Sequence, residues 1–295
     1  MARVAFIGLG NMGGGMAANL AKKGHDVRAF DLSAEALDRA RAAGCHVAAS
    51  AAEAVEGAES VVTMLPTGAH VESVYADSLG GAAAGAVLID CSTIDVATAK
   101  RVAEGAQAKE LLAVDAPVSG GIGAANAGTL TFMVGGTDAA FAAAQPFLAD
   151  MGKAVIHAGG NGAGQAAKIC NNMILGATMV ATCEAFGLAE KLGLDAQSFY
   201  DIASVSSGQS WSMTTYCPVP GVGPDSPADH DYQGGFAAAL MLKDLRLAMA
   251  AAEQSGAATP MGARAAELYE RMAAAGDGGR DFSAITFLLR NGGAS

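Results

Sequence analysis

The sequence predicts an α/β fold: a doubly wound sheet with helices on both faces, followed by a long connecting helix and an all-helical C-terminal part. Two observations predict the α/β part. Short β-branched apolar runs alternate with Ala/Glu/Lys-rich segments through the first half, and a glycine-rich turn follows the first of these runs. A third observation predicts the helical part, because the strand signal ends near residue 160.

Seven apolar runs in the first half predict strands. The run Val61–Leu65 is almost continuously apolar, which is typical of a parallel strand buried on both faces. Helical segments such as 12–23 and 33–43 separate the first five runs, as in βαβ units. The seven predicted strands are Arg3–Ile7, Val27–Asp31, Val61–Leu65, Val87–Cys91, Leu112–Ala116, Thr131–Val134 and Ala154–His157.

The second half begins with a stretch from Gly164 to about Leu192 that contains no proline and predicts a helix about 40 Å long. Gly193 is a plausible stop. Further helices are predicted at 237–254 and 260–275, the second with Thr259 as N-cap. We therefore expect an α/β domain at 1–162, a connecting helix at 163–193 and an all-α domain at 194–295.

Composition excludes several classes of protein. The chain has 18 basic and 29 acidic residues and a net charge of −11, so it lacks the basic surface that nucleic acids require. Its charge-free stretches are interrupted by polar residues, Gly or Pro, and no targeting layout opens the chain, so we expect a cytoplasmic protein and no membrane partner. Five cysteines without a C-x-x-C pair predict reduced, mostly buried thiols. Scattered histidines predict no metal site.

The strongest local signal is the turn Gly8-Leu9-Gly10-Asn11-Met12-Gly13, which lies between a strand and a helix. In a Rossmann-type domain these glycines allow a tight turn, close approach to a pyrophosphate and close helix–strand packing. Asp31 ends the second predicted strand, where a carboxylate meets ribose hydroxyls; its alternative role is to cap the next helix. No Arg follows closely, which favours NAD over NADP. The neighbouring Gly14-Gly15 should loosen the first helical turn.

Two further groups of residues are candidates for anion binding and for proton transfer. Ser119-Gly120-Gly121 follows an apolar strand, and adjacent glycines let backbone N–H groups converge on an anion; the alternative is an ordinary turn. Lys168 and Asn172 share one helix face in an apolar segment. Desolvation there would favour the neutral amine needed for proton transfer, whereas a surface lysine is the alternative.

Five blocks of sequence together resemble the β-hydroxyacid dehydrogenases, in order and almost end to end. The C-terminal part of the sequence is similar to the 3-hydroxyisobutyrate dehydrogenase branch of this family, in the segments Ser206-Ser207-Gly208, Trp211 and Asp231–Phe236. The blocks are G-L-G-x-M-G-x-x-M-A-x-N-L at 8–20, D-x-S-T-I at 90–94, D-A-P-V-S-G-G at 115–121, G-x-G-Q-x-x-K-x-x-N-N at 162–172 and K-D-L at 243–245.

The resemblance implies reversible hydride transfer between NAD and a small 3-hydroxy acid, with Lys168 as the catalytic acid/base and Asn172 supporting it. It implies cofactor contacts at Gly8, Gly10, Asn11, Met12, Gly13, Asp31, Leu65, Pro66, Thr93 and Lys243. It implies contacts to a carboxylate-bearing substrate at Ser119, Gly120, Gly121, Lys168, Asn172, Trp211, Phe236 and Asp244. A homodimer or homotetramer through the helical domain is also expected.

Two alternatives remain. L-serine dehydrogenase or tartronate semialdehyde reductase chemistry would need the same base and anion loop, because one small substituent discriminates by only about 1–3 kcal/mol. A non-catalytic dinucleotide-binding module is the alternative from another class, and the presence of Lys168 weighs against it.

Overall fold

The computed structural model describes residues 1–290, and the chain divides into two units. The first unit is Met1–Lys168 and the second begins at Ile169. The division falls inside a single long helix, Ala163–Lys191, whose first turns therefore belong to the α/β unit. The predicted helix at 164–192 is thus present, and the three-part division of the sequence stays an interpretation.

One mixed sheet organises the first unit. Its order begins β3-β2-β1-β4-β5-β6-β8, and every pairing up to β6 is parallel. Because the chain returns across β1 to add β4, the order reverses between these two strands, where doubly wound folds bind ligands. Within residues 1–290 the strands are β1 (Arg3–Ile7), β2 (Asp26–Phe30), β3 (His46–Val47), β4 (Ser60–Thr63), β5 (Val87–Asp90), β6 (Leu112–Asp115), β7 (Val118–Ser119), β8 (Leu130–Gly135) and β9 (Gly152–Gly159).

All seven predicted strands form: Arg3–Ile7 has the predicted bounds, and the ends of the others are shifted by at most two residues. The short strands β3 and β7 were not predicted. The α/β, Rossmann-type fold class is confirmed, but β8 departs from an all-parallel sheet. It pairs antiparallel with β6 and β7, and β9 pairs with it in parallel. The chain reverses between β7 and β8 through a short helix, 121–127, which Gly128 ends in the left-handed conformation.

Helices of the first unit cover both faces of the sheet. Neighbouring strand residues explain this: Phe6 belongs to one apolar cluster and Ile7 to the other, and Ile89 and Leu88 divide in the same way. Burial on both faces is why these strands read as continuous apolar runs. The helices are α1 (Gly13–Lys22), α2 (Ala34–Ala42), α3 (Ala51–Val55), α4 (Gly68–Ser78), α5 (Val96–Gln107), α6 (Gly121–Ala127) and α7 (Asp138–Met151).

Gly15 in the first turn of α1 has a packing reason that the sequence did not reveal. A Cβ there would collide with the Asn126 side chain and lie 3.0 Å from the backbone of Ala125 in α6. The side chain of Asn19 then donates to the Ala125 carbonyl at 2.8 Å. The glycine therefore allows α1 and α6 to pack closely, rather than merely loosening the helix.

The described part of the second unit is helical, as predicted. Its core packs residues such as Met179, Met241, Leu245, Leu268 and Phe282. The helices are α8 (Ala163–Lys191, which starts in the first unit), α9 (Ala196–Ala203), α10 (Trp211–Thr214), α11 (Ala238–Ser255), α12 (Pro260–Met272) and α13 (Ile285–Arg290).

Thr259 lies at the N-cap position of α12 and Pro260 opens the helix, both as predicted, but the Thr259 hydroxyl makes no capping hydrogen bond and instead donates to the Met249 sulfur at 3.7 Å. Helix α8 is long and apolar enough to cross a membrane by length and composition, with a mean hydropathy of 1.3 over its best window. Because 44% of that window is buried inside the protein, these criteria are weak support for a span.

Candidate active site

The glycine-rich turn has the geometry that a dinucleotide requires. Gly8 has φ +96°, and a Cβ there would collide with the carbonyl of Met64. A Cβ on Gly13 would collide with the carbonyl of Gly8, so this glycine permits α1 to pack against β1. Gly10 is exposed, with nothing within 4 Å of an added Cβ. The turn is therefore tight on the protein side and open on the other, which fits a pyrophosphate.

The carboxylate of Asp31 lies against this turn. One oxygen accepts a hydrogen bond from the Leu9 backbone N–H at 2.6 Å, and the other accepts from Ser33 at 2.8 Å. The N-cap of α2 is Ser33, whose hydroxyl accepts from the Ala36 N–H, so Asp31 is not the cap. The structure thus removes the alternative role and leaves the carboxylate beside the glycine turn, where ribose hydroxyls are expected.

The loops after β4 and β5 are joined at the same edge of the sheet. The Leu65 backbone N–H donates to the Ser92 hydroxyl at 2.8 Å, and the Leu65 side chain lies 3.1 Å from where a Gly8 Cβ would stand. The Thr63 hydroxyl donates to the buried Asp90 at 2.8 Å. The predicted cofactor residues Leu65, Pro66 and Thr93 thus lie in loops at the edge that carries the glycine turn.

Ser119, Gly120 and Gly121 form the transition from β7 to α6. Gly120 has φ +135° and Gly121 φ +70°, so both adopt a backbone conformation that other residues rarely take. Gly121 is exposed with nothing within 4 Å of an added Cβ, whereas a Cβ on Gly120 would lie 2.6 Å from Ala124. The loop is therefore shaped by its glycines.

Lys168 is buried, with 8% of its surface exposed, in the second turn of α8. Asn172 follows one turn later on the same helix face and is also buried. The alternative of a lysine on an exposed helix face is therefore wrong.

The start of α8 is held by Asp115, the last residue of β6. Its two carboxylate oxygens accept from the backbone N–H groups of Gly162, at 2.6 Å, and Gln165, at 2.8 Å. Burial raises the pKa of Asp115 from 3.8 to about 6, against the lowering effect of these hydrogen bonds.

In the second unit, Asn172, Lys243 and Asp244 lie together. The Asn172 side-chain amide donates to Asp244 Oδ2 at 2.6 Å, and the other oxygen of Asp244 lies 3.9 Å from Lys243 Nζ. Asp244 is 3% exposed, whereas the Lys243 side chain is 33% exposed. Two segments 72 residues apart in the chain thus contribute to one polar group.

Trp211 and Phe236 lie near another polar group of the same unit. Trp211 is half-exposed and stacks on Tyr216 with ring centroids 4.8 Å apart. The Tyr216 hydroxyl and the Phe236 backbone N–H both donate to Asp281 Oδ2, at 2.9 and 2.8 Å. Burial is the largest of the causes that raise the pKa of Tyr216 and of Asp281.

Sequence reasoning gave no role to Asp115, Gln165, Tyr216 or Asp281. The first two stand inside blocks that the sequence singled out, and Asp115 ends an apolar run, so a buried polar contact was the available signal. Asp281 has no comparable signal, because its partners are 45 and 65 residues away. In residues 1–290 no group of three His, Cys, Asp or Glu residues could hold a metal ion.

Comparison with known proteins gives matches over nearly the whole chain. A family described as the NAD binding domain of 6-phosphogluconate dehydrogenase matches residues 3–160, and a family described as NAD-binding of NADP-dependent 3-hydroxyisobutyrate dehydrogenase matches 162–289. A 3-hydroxyisobutyrate dehydrogenase of Pseudomonas aeruginosa is 51% identical, covering 98% of this chain and 99% of its own.

Two further matches bear on the substrate. An NAD-dependent L-serine dehydrogenase of the same organism is 46% identical, with 98% of each chain covered. The solved structure of Mycobacterium tuberculosis 3-hydroxyisobutyrate dehydrogenase with L-serine is 49% identical, with a TM-score of 0.94 over 98% of this chain and 99% of that one.

Proposed function

This chain belongs to the family of 3-hydroxyisobutyrate dehydrogenases, and on that premise we propose that it oxidises 3-hydroxyisobutyrate to methylmalonate semialdehyde with NAD. The observation that supports it most is the buried Lys168, in a helix whose start is fixed to the carboxyl end of β6 next to the dinucleotide-binding loops. A buried amine at that edge suits proton transfer from an alcohol.

Different residues of the chain bind different parts of the cofactor. The backbone N–H groups of the 8–13 turn and of the start of α1 bind the pyrophosphate, and Asp31 accepts hydrogen bonds from the ribose hydroxyls. A 2′-phosphate would meet the negative charge of Asp31, which favours NAD. Leu65, Pro66 and Thr93 contact the nicotinamide half, and Lys243 is a further cofactor contact. When bound, NAD supplies the hydride acceptor.

The substrate carboxylate binds at Ser119, Gly120 and Gly121. Backbone N–H groups and the serine hydroxyl donate to it, and hydrogen bonds to a charged group are worth about 1.5–3 kcal/mol each. No arginine follows closely in this block of sequence, so backbone donors take the place of a guanidinium clamp. Trp211 and Phe236 contact the rest of the substrate.

Lys168 accepts the proton of the substrate hydroxyl as the carbinol carbon is oxidised, and returns it in the reverse reaction. Asn172 supports this step from one turn away. Its amide nitrogen is committed to Asp244 at 2.6 Å, so the direction in which its carbonyl oxygen points is fixed. Asp244 thus orients Asn172, and the buried polar group keeps the site ordered.

L-Serine oxidation is the second candidate, favoured by the two relatives whose names include L-serine. Tartronate semialdehyde reduction needs the same groups. A methyl, hydroxymethyl or amino substituent changes only the contacts around the carbinol carbon, each worth about 1–3 kcal/mol. A binding-only module would have no use for a buried lysine at this position.

The test is a comparison of initial rates for 3-hydroxyisobutyrate, L-serine and other 3-hydroxy acids with NAD and NADP, using the parent and Lys168→Ala. We expect the variant to lose about 10²- to 10⁴-fold in kcat, the usual share of a general acid/base, with nearly unchanged NAD binding. Glu190→Ala, an exposed change later in the same helix, is the control. Parent-like turnover of Lys168→Ala would refute the mechanism.

We also propose that the enzyme is cytoplasmic and forms a homodimer or homotetramer through its helical unit. Free cysteines, four of five of them buried, suit a reducing compartment. Ile174 and Leu188 share one face of α8 and are 61% and 59% exposed, and Leu192, just after the end of the helix, is 76% exposed. A monomer rarely exposes contiguous apolar surface of this kind. Light scattering should give a multimer that Ile174→Lys combined with Leu188→Lys dissociates.

A further inference from the structure

We propose that Asp115 and Gln165 are positioning residues that set where Lys168 stands relative to the cofactor-binding loops. The proposal rests on the role of Lys168 in the proposed function. Neither residue needs to touch substrate or cofactor. They act by fixing the first turn of α8, from which Lys168 follows three residues after Gln165.

We call the contacts that Asp115 and Gln165 make with the start of α8 and with the loop after β5 the latch. Its first part is the carboxylate of Asp115. Its two oxygens bind two different backbone N–H groups at the start of α8, those of Gly162 and Gln165, at 2.6 and 2.8 Å. These donors have no partner inside the helix, so the carboxylate caps it. Because Asp115 ends β6, the cap joins the helix directly to the sheet.

The second part is the side chain of Gln165, which is completely buried. Its carbonyl oxygen accepts from the Ile94 N–H at 3.1 Å, and its amide nitrogen donates to the Ser92 carbonyl at 2.8 Å. Both ends of the amide are therefore used on the loop after β5, on either side of Thr93. The Ser92 hydroxyl in turn accepts from Leu65 at 2.8 Å, which links the loop after β4.

Two glycines show how closely these parts fit. A Cβ on Gly164 would lie 2.5 Å from the Asp115 carbonyl oxygen and 2.8 Å from its carboxylate. A Cβ on Gly135 would lie 2.5 Å from the other carboxylate oxygen and 2.7 Å from the Gly164 nitrogen. Neither glycine has a positive φ, so close approach, not backbone conformation, requires them. There is no room for the helix start to shift towards β6.

The consequence is that one hydrogen-bonded assembly holds both the loops that contact the nicotinamide half of the cofactor and the helix that carries the base. Misplacement by about 1 Å can cost about 100-fold in rate. Loosening the latch should therefore slow the chemical step and leave the distant binding determinants, the 8–13 turn and the Ser119–Gly121 loop, intact.

The experiment uses Asp115→Asn, which keeps the shape but can accept only one of the two N–H bonds, and Gln165→Met, which keeps the length but loses both bonds. For each we expect kcat to fall about 10- to 100-fold, with KM for NAD within about twofold of the parent. The deuterium isotope effect on kcat, with substrate deuterated at the carbinol carbon, should rise as hydride transfer becomes rate-limiting.

Thr137→Ala is the matched control, because Thr137 caps α7 of the same unit by accepting the Ala140 N–H at 3.2 Å. It should lose a similar cap contact, about 1 kcal/mol of stability, without a change in kcat or isotope effect. If Asp115→Asn does not fold, as judged by circular dichroism, Gln165→Met carries the test. A parent-like kcat and isotope effect in the folded variants would overturn the proposal.

A double variant separates this inference from the proposed function. In a Lys168→Ala background, Asp115→Asn should cause no further loss of kcat, because there is no base left to position. A full additional loss would mean that Asp115 acts by another route and would overturn the inference. If Lys168→Ala alone keeps its activity, the proposed function fails instead.

Discussion

Asp31 holds its position through two backbone contacts, to Leu9 and Ser33, and this determines how cofactor preference should be changed. Ser33 caps α2, so a substitution there would also weaken the helix. Leu32 is 93% exposed and makes a better site for a new cation. We expect Asp31→Asn with Leu32→Arg to shift the NADP/NAD ratio of kcat/KM upward by at least about tenfold, because a repulsive charge is replaced by an attractive one.

The control for this change is Asp38→Asn, which removes one exposed carboxylate from α2 and should leave the ratio unchanged. Initial rates with both cofactors measure the ratio. A parent protein that already prefers NADP would contradict the role assigned to Asp31.

The role of the Ser119–Gly121 loop in binding the substrate carboxylate can be tested at Gly121, with Gly85 as the matched control position. Gly121 has φ +70° and Gly85 φ +74°, and nothing lies within 4 Å of an added Cβ at either. An alanine therefore carries the same backbone strain, about 1 kcal/mol, at both positions. Gly85 precedes β5, at the amino end of the sheet, so only Gly121→Ala should raise KM for the hydroxy acid, by about tenfold or more.

Steady-state kinetics at saturating NAD measure this difference. Equal KM values for Gly121→Ala and Gly85→Ala would show that the loop does not bind the substrate. Equal kcat/KM for 3-hydroxyisobutyrate and its neutral amide would do the same for the carboxylate itself.

At the scale of elements, periodicity and composition predicted the strands and long helices, because those signals are local. The direction of β8 was not predictable in this way, since it depends on which neighbouring strands it pairs with, β6 and β7, and periodicity carries no information about strand direction. Thr259 stands at its predicted N-cap position, but the sequence did not indicate that its hydroxyl would donate to Met249 on the preceding helix rather than cap α12.

The same distinction between local sequence signals and long-range contacts applies to the candidate site. Lys168, Asn172 and the glycine turns stand in recognisable local blocks, and so do Asp115, Gln165 and Asp244, but the blocks do not show which contacts these last three residues make. Asp115 reaches partners 47 and 50 residues away, and Asn172 and Asp244 meet over 72 residues. A carboxylate in a sequence gives no sign of which backbone N–H groups will approach it. The role of the positioning residues could therefore be recognised only in the structure.

The contact between α8 and α11 provides a test of this long-range part. Asn172 donates to Asp244 at 2.6 Å and both are buried, so removing either leaves a desolvated polar group. A double-mutant cycle with Asn172→Ala and Asp244→Ala should give a coupling free energy of about 1–3 kcal/mol in urea unfolding.

Gln197 and Asp201 of α9 supply the matched control. They make the same amide–carboxylate contact at 2.8 Å, but both side chains are exposed. Their cycle should give less than about 0.5 kcal/mol. Similar coupling for the two pairs would mean that burial does not strengthen the Asn172–Asp244 contact.

At the scale of the whole molecule, carboxylates with raised and with lowered pKa values give stability opposite dependences on pH. For Asp95, burial acts to raise the pKa, but hydrogen bonds from the Thr98 side chain and backbone outweigh it and the pKa is lowered. Hydrogen bonds from backbone N–H groups, first of all those of Ser198 and Gly221, lower the pKa of Asp195 and Asp229. Their contribution is present above about pH 4 and is lost as the pH falls below it. Burial raises the pKa of Asp115 to about 6 and also that of Asp281. Their contribution is present below about pH 4 and is lost as the pH rises.

For Asp115 the sign gives a specific expectation. The folded chain holds the Asp115 proton up to about pH 6, whereas the unfolded chain releases it near 3.8, so the stability it contributes falls by about 3 kcal/mol across that interval. Asp115→Asn cannot titrate. The Tm of the parent minus that of Asp115→Asn should therefore decrease between pH 4.5 and pH 7.5. Asp195→Asn is the control: Asp195 is exposed with a lowered pKa, so its Tm difference should stay constant in this range. A parent–Asp115→Asn difference that is constant, or that grows with pH, would show that the Asp115 carboxylate is already ionised in the folded protein at pH 4.5.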